Sequence, residues 1–132
     1  MTRREQVAQL RADTRVHYNC CQSVLLPFCQ VCGLERETAF KLGEYFNAGM
    51  RMGAVCGAVT GGLMVLGMAG AGEETVKRFR EEVQGRYGAL DCAALLKRAQ
   101  DRGLERKPHC DAVVEEAVAL VEQLLLEEGR QV

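Results

Sequence analysis

Apolar residues recur every three or four positions along most of the chain, which is the spacing that places them on one face of an α-helix. No segment shows the strict alternation of a half-buried strand. The pattern predicts an all-α fold, a compact bundle of about six or seven helices in a single domain over residues 1–132. The predicted helices are Thr2 to about Arg15, Cys20 to Cys32 with a kink at Pro27, Glu35 to about Phe46, Gly53 to Met68, Glu73 to Tyr87, Cys92 to about Gln100, and a last helix from Pro108.

Residues at the ends of these segments support the boundaries. Asn19 and Asp91 have side chains of the kind that cap helix N-termini. Gly33 and Gly88 each follow a predicted helix, where glycine adopts the left-handed conformation that ends helices. Residues 47–53 are expected to form a glycine-rich loop before the central helix.

The uncharged segment over residues 54–72 contains most of the predicted central helix. Gly53, Gly57 and Gly61 recur at every fourth position, so on a helix they form a stripe against which other helices can pack closely. Each glycine inside a helix costs roughly 1 kcal/mol relative to alanine. We therefore expect the stripe to serve close packing or a crowded site, and Cys56 lies beside it.

The same segment is long enough to be tested as a transmembrane helix. Its many glycines and the polar Thr60 make its hydrophobicity weak. Glycine at every fourth position serves buried soluble helices as well as membrane helices. We therefore predict a buried core helix and no membrane association.

Charge and composition narrow the range of functions. Seventeen basic and eighteen acidic residues give a net charge of -1 and a pI of about 6.1, so nucleic acid is not an expected partner. The N-terminal residues are charged and lack the apolar segment of a secretion signal, which favours a cytoplasmic location. Seven cysteines in a reducing compartment indicate metal ligation or redox thiols rather than a disulfide framework.

Four cysteines fall in the first turns of predicted helices: Cys20, Cys56, Cys92 and Cys110. Unpaired backbone N–H groups and the helix dipole stabilise an anion there by roughly 0.3–1 kcal/mol, and they lower thiol pKa values. We therefore expect all four to be ready thiolates, which are both metal ligands and nucleophiles. Their spacing matches no local zinc-finger or ferredoxin pattern, so any joint site must be assembled by the fold.

The three remaining cysteines are secondary redox candidates. Cys21 lies about 100° around the helix from Cys20, so the two cannot easily serve one centre. Cys29 and Cys32 form a Cys-x-x-Cys pair near a predicted helix C-terminus, where the dipole disfavours a thiolate. Apolar packing on one helix face is the alternative for this pair.

Two segments and two lone cysteines carry the pattern of a known family. The segments are Tyr18-Asn19-Cys20 and Cys56-Gly57-Ala58-Val59-Thr60-Gly61, and the lone cysteines are Cys92 and Cys110. The chain resembles the small redox-active proteins named for their C_GCAxxG_C_C pattern, and the resemblance covers most of its length. Its positions coincide with the four cysteines that the predicted helix starts single out.

The family is typical of anaerobic bacteria and archaea, and it also occurs as a domain of split-Soret cytochromes. The resemblance implies an iron-sulfur centre on the four matching cysteines. This chain departs from the pattern at Cys21, where alanine is usual, and by its additional Cys29 and Cys32. A second thiol function is therefore an open alternative.

Three hypotheses follow for the function. The leading one is electron transfer or redox sensing through an iron-sulfur cluster, most simply [2Fe–2S], with a redox protein as partner. The first alternative is a thiol-disulfide protein without metal, and the second is a zinc-stabilised, non-catalytic partner-binding bundle. His17 and His109 are alternative ligands or simple surface residues. No hydrolase or transferase motif is present, and a role as a component of an oxidoreductase is an open alternative.

Two further expectations concern the position of the four cysteines and the way the last helix packs. The cysteines should converge on one pocket, whose wall is the glycine side of the central helix: Gly57, Ala58, Thr60 and Gly61. The last helix carries a wide apolar face from Val113 to Leu125, and together with the nearly balanced charge it favours a homodimer.

Overall fold

The computed structural model describes residues 1–132, of which 73 % are helical, and it contains no strands. The all-α prediction is confirmed, with eight helices instead of six or seven. The increase arises because a 3₁₀ turn over Leu26–Phe28, which contains Pro27, divides the predicted second helix. The helices are α1 Arg3–Ala12, α2 Cys20–Leu25, α3 Cys29–Cys32, α4 Arg36–Gly43, α5 Gly57–Met68, α6 Glu73–Tyr87, α7 Cys92–Asp101 and α8 Arg106–Glu127.

Several helix ends follow the local sequence. Asn19 caps α2 by accepting a hydrogen bond from the Gln22 N–H, and the Gln22 side chain accepts one from the Asn19 N–H in return. Gly33 and Gly88 are left-handed, with φ of 65° and 77°, directly after α3 and α6. These boundaries lie where the sequence predicts them.

Three predicted boundaries are wrong. The first helix ends at Ala12 because the Asp13 carboxylate accepts hydrogen bonds from the N–H groups of Arg15 and Val16 and turns the chain away. The third helix is shorter than expected and ends at Gly43. The last helix begins at Arg106, ahead of Pro108, because proline is tolerated in a first turn where the N–H groups have no helical partner.

The central helix begins at Gly57, so Gly53 is not part of its glycine stripe. Gly53 is left-handed, with φ of 70°, and the next three residues extend toward the start of α7. The N–H of Cys56 donates to the Leu90 carbonyl at 2.8 Å, and the N–H of Cys92 donates to the Ala54 carbonyl at 2.7 Å. These bonds between two chain segments replace the helical bonds that the periodicity predicts.

The segment before α5 forms a tight turn over Gly49–Gly53. Four consecutive residues at its start, 48–51, have φ between 51° and 64°. Three of them, Ala48, Met50 and Arg51, are not glycine, and the left-handed conformation costs such residues roughly 1–2 kcal/mol each. The expected loop is therefore an ordered and strained turn.

Glycines of α5 allow α2 to approach closely. A Cβ added at Gly57 would lie 2.9 Å from the Cys21 backbone nitrogen, and one at Gly61 would lie 2.8 Å from the Cys21 carbonyl oxygen. Real Cβ atoms do not approach backbone atoms so closely. The glycine side of α5 therefore positions the backbone of α2, and with it Cys20.

The apolar face of α8 is covered within the chain. Val113, Val114, Val121 and Leu125 are each at most 3 % exposed, and they belong to the core shared with α1, α2 and α5. This face therefore gives no support to the predicted homodimer, which stays a prediction without a structural argument. None of the helices is both long enough and apolar enough to cross a membrane.

Candidate redox centre

The four cysteines matched to the family pattern line one small cavity of about 40 Å³. They come from four different helices, which bring distant parts of the chain together. Cys20 and Cys92 are the first residues of α2 and α7, and Cys56 is the N-cap residue of α5. Cys110 lies in the second turn of α8.

The position of Cys110 departs from the sequence prediction. Because α8 begins at Arg106, Cys110 is its fifth residue and not part of the first turn. The first helical bond runs from the His109 N–H to the Glu105 carbonyl, one residue ahead of Cys110. The N–H of Cys110 is therefore past the free donors of the helix start.

The strained turn and α7 pack tightly around Cys92. A Cβ added at Gly49 would lie 2.7 Å from the Cys92 Cβ and would also collide with the Ala54 carbonyl oxygen. Ala54 is the residue whose carbonyl receives the Cys92 N–H. Glycine is required at position 49 both by this approach and by its φ of 64°.

Cys20 and Cys110 affect each other's pKa more strongly than any other cysteines of the cavity. Their interaction is the largest cause of the raised pKa of Cys20 and of the lowered pKa of Cys110. Burial further raises the pKa of Cys20, whereas Arg11 and Arg106 further lower that of Cys110. The structure therefore favours a pair that consists of one thiol and one thiolate.

The other two cysteines of the cavity are not ready thiolates. Burial raises the pKa of Cys56, although the backbone N–H groups of Ala58 and Val59 oppose this effect. Burial also raises the pKa of Cys92, and the nearby Cys110 adds to the increase. Burial therefore outweighs the helix ends at Cys56 and Cys92, and the one lowered pKa belongs to Cys110, the cysteine outside a first turn. Four thiolates stay a prediction for the metal-loaded site.

Two arginines beside the cysteines were not predicted from the sequence. The Arg11 guanidinium donates to Asp111 at 2.7 Å and to the Tyr18 carbonyl at 2.9 Å, and its side chain is only 11 % exposed. Arg106 lines the cysteine cavity directly. A sequence signal for Arg11 exists, because it lies four residues after the buried Val7 and therefore on the apolar face of α1.

The rest of the cavity lining is mainly apolar. Leu95 and Val113 are buried beside the cysteines, and Leu96 is half-buried. His109 also lines the cavity and meets the Tyr87 ring edge to face at 6.3 Å. Burial lowers the pKa of His109, so its ring is neutral at pH 7. His17 lies outside this lining.

Of the predicted pocket wall, only Gly57 borders the cavity. Gly61 packs against α2, and Ala58 is fully buried in the core. The Thr60 hydroxyl lies one turn further along α5 and donates to the Cys56 carbonyl at 3.4 Å. On the side of α5, where the sequence predicts the wall, a single glycine borders the cavity. Residues 48–49 of the preceding turn complete this side.

The remaining cysteines lie outside the cavity. Cys21 is fully buried, its Sγ lies 3.9 Å from the Met64 Sδ, and burial raises its pKa to about 12. Cys29 and Cys32 begin and end the short helix α3. Burial raises the pKa of both, that of Cys32 to about 11. All seven cysteines are free thiols in the structure.

The donor set of the cavity is chemically suited to a soft metal centre. Four thiol groups from separate helices face one cavity, and iron-sulfur clusters are held by four cysteine thiolates. In their present conformation no three His, Cys, Asp or Glu side chains are placed to hold a single metal ion. Ligation of one tetrahedral ion would therefore require the side chains to close in, since all four sulfurs must reach about 2.3 Å from it.

Comparison with known protein families identifies the family to which this chain belongs. The model of the family described as "Putative redox-active protein (C_GCAxxG_C_C)" matches residues 18–124, which is most of the chain. The chain therefore belongs to this family of cysteine-rich, redox-active proteins. No significant match was found among curated proteins or among solved structures.

Proposed function

We propose that this protein binds an iron-sulfur cluster through Cys20, Cys56, Cys92 and Cys110 and acts in electron transfer or redox sensing in the cytoplasm. The observation that carries the proposal is the convergence of these four cysteines, from four helices, on one cavity. Membership of a redox-active family supports it. When bound, such a cluster supplies a one-electron carrier.

The size of the cavity favours a small cluster. A volume of about 40 Å³ corresponds to roughly three water-sized groups. The core of a [2Fe–2S] cluster has four atoms, and the core of a [4Fe–4S] cluster has eight. We therefore propose the two-iron form.

The surroundings of the cysteines suit a charged, water-sensitive centre. Arg11 and Arg106 place positive charge beside Cys20 and Cys110, which offsets the charge of four thiolates. Leu95 and Val113 keep water from the buried side of the cavity.

On another side of the cavity, Cys92 is only half-buried. We propose that a redox protein partner approaches this side, where the electron has the shortest path to the surface.

Anaerobic reconstitution with iron and sulfide tests the proposal. We expect visible charge-transfer absorbance and two irons and two sulfides per chain, and replacing any one of the four cysteines by serine should remove most of both. Zinc in the protein as isolated, without iron or sulfide uptake, would favour the zinc-stabilised bundle. A colourless, metal-free protein that takes up neither would overturn the cluster.

One observation favours a thiol-disulfide function as the second candidate. The pKa of Cys110 is lowered and that of its neighbour Cys20 is raised, which is the arrangement of an attacking thiolate beside a resolving thiol. The Cys110 thiolate would attack a substrate disulfide, break its S–S bond and release one substrate thiolate. Cys20 would then give up its proton and displace the second substrate sulfur, so that a Cys20–Cys110 disulfide forms and the substrate takes up the two electrons and the one proton. Under this hypothesis, variants of Cys20 and Cys110 lose disulfide reductase activity, whereas variants of Cys56 and Cys92 do not.

A further inference from the structure

A second and larger cavity adjoins the cysteine cavity. Its volume is about 340 Å³, which is near the lower end for pockets that hold small molecules. Four residues line both cavities: Cys20, Ala48, Arg106 and Cys110. A molecule in the second cavity would therefore lie directly against two of the four cysteines.

Hydrogen-bond donors dominate the lining of this second cavity. Arg11 and Lys107 contribute positive charge from α1 and α8. Both are held in place, because Arg11 donates to Asp111 at 2.7 Å and Lys107 donates to the same carboxylate at 3.1 Å. Two cations therefore share one carboxylate, which leaves net positive charge on this wall.

Three further side chains of the lining make no hydrogen bond with another residue: Arg106, Asn47 and His17. Arg106 and His17 are exposed and Asn47 is half-buried, so all three can be reached by a ligand from solvent. The one carboxylate in the lining, Asp13, accepts the N–H groups of Arg15 and Val16 at 2.8 and 3.0 Å through one of its oxygens. The three basic side chains of the lining therefore outnumber its single carboxylate.

We propose that the second cavity binds a small, oxygen-rich anion, a carboxylate or an inorganic oxyanion, against Cys20 and Cys110. Arginine and amide donors recognise planar and tetrahedral oxygen groups, and hydrogen bonds to a charged acceptor are the strong ones. The net charge of the whole chain is -1, so this cationic lining is a local feature and not a reflection of a basic protein. The inference deepens the proposed function. It rests on that function for any effect on electron transfer, because the bound anion would then lie at the edge of the iron-sulfur cluster.

The test measures binding to the metal-free, reduced full-length protein, so its result does not depend on whether a cluster forms. Malonate and inorganic phosphate are titrated separately, with chloride as a control at matched ionic strength, by calorimetry and by backbone amide NMR shifts. Binding of malonate alone would identify a carboxylate site, and binding of phosphate alone would identify a site for inorganic oxyanions. We expect saturable binding of one of them, with shifts concentrated around residues 17–20, 47–48 and 106–110.

Arg106→Gln should weaken that binding at least about tenfold, because a charged hydrogen-bond partner of the anion is lost. The matched control is Arg102→Gln, which removes the same charge four residues away from an exposed side chain outside this cavity. Asn47→Ala should weaken binding without a change of charge. Equal weakening by Arg106→Gln and Arg102→Gln, or no saturable binding of either anion, would overturn the proposal.

Discussion

Cys20 of α2 and Cys110 of α8 line the same two cavities, and their interaction raises the pKa of Cys20 while it lowers the pKa of Cys110. Arg11 of α1 lies beside the pair and is anchored by Asp111, the residue that follows Cys110. The pair therefore combines a buried thiol with a cysteine whose thiolate a fixed cation stabilises. This asymmetry distinguishes two cysteines that the family pattern treats alike.

The first prediction concerns the pH dependence of Cys110. Its pKa is lowered by its interaction with Cys20 and by the two arginines, so its thiolate persists below the usual thiol pKa of about 8.5. In the metal-free, reduced protein we expect Cys110 to be alkylated by iodoacetamide with a midpoint below that pH. Cys20→Ala removes the neighbouring thiol and should move the midpoint upward. Mass spectrometry of modified peptides over a pH series gives the rates.

Cys29→Ala is the control for this experiment, because Cys29 lies on α3 and does not line the cavity. It should leave the Cys110 midpoint unchanged. Cys32, with its pKa raised to about 11, should stay unreactive at neutral pH. A Cys110 midpoint at or above the value of an ordinary thiol would show that Cys20 and the two arginines do not stabilise its thiolate.

The second prediction is that Cys29 and Cys32 are dispensable for the proposed cluster. Neither residue lines the cysteine cavity, and burial disfavours the thiolate of both. The double variant Cys29→Ser, Cys32→Ser should therefore take up as much iron and sulfide as the unmodified protein. Loss of the visible absorbance with an unchanged far-UV circular dichroism spectrum would mean that the ligand set is wrong.

The local parts of the fold could be predicted because single residues determine them. Asn19 and Gln22 cap α2 through contacts three residues apart, and Gly33 ends α3 through its own backbone conformation. Pro27 likewise interrupts its helix without help from distant residues. The predicted helix starts and the family pattern singled out the same four cysteines, although Cys110 lies in the second turn of its helix.

The remaining features depend on contacts that periodicity does not contain. Residues 54–56 leave the helical pattern because they pair with the segment before Cys92, which is distant in sequence. The raised pKa values of Cys56 and Cys92 could not be predicted from helix starts, because they arise from the burial of the cavity, which is a tertiary property. Arg11 lies in a charged helix, and its role depends on Asp111 and Tyr18.

The third prediction tests the close approach at Gly49. Gly49→Ala introduces a Cβ at a left-handed position, where it also meets the Cys92 Cβ and the Ala54 carbonyl. We expect a loss of stability above the roughly 1–2 kcal/mol of left-handed strain alone, together with poor cluster uptake. Chemical denaturation and iron content measure the two effects.

Gly103→Ala is the matched control for strain without collision. Gly103 has a similar φ of 74°, but a Cβ there meets nothing within 4 Å. It should lose only the strain energy and retain full cluster uptake. Equal behaviour of the two variants would show that the approach of residue 49 to Cys92 does not matter.

The last prediction compares two glycines of α5 that differ only in their surroundings. Gly61→Ala forces a Cβ to within 2.8 Å of the Cys21 carbonyl oxygen and 3.0 Å of the Val24 Cβ. Overpacking of this kind typically costs about 1–3 kcal/mol, which exceeds the gain of roughly 1 kcal/mol from the higher helix propensity of alanine. Gly67 is exposed, and a Cβ added there meets nothing within 4 Å, so only the gain in helix propensity remains. The free energy of unfolding of Gly67→Ala should therefore rise by up to about 1 kcal/mol.

The two variants should also differ in cluster uptake. Because Gly61 sets the distance between α5 and α2, its replacement should displace Cys20 and lower cluster uptake, whereas Gly67→Ala should not. If Gly61→Ala stabilised the protein as much as Gly67→Ala, the close packing of α2 on the central helix would be disproved.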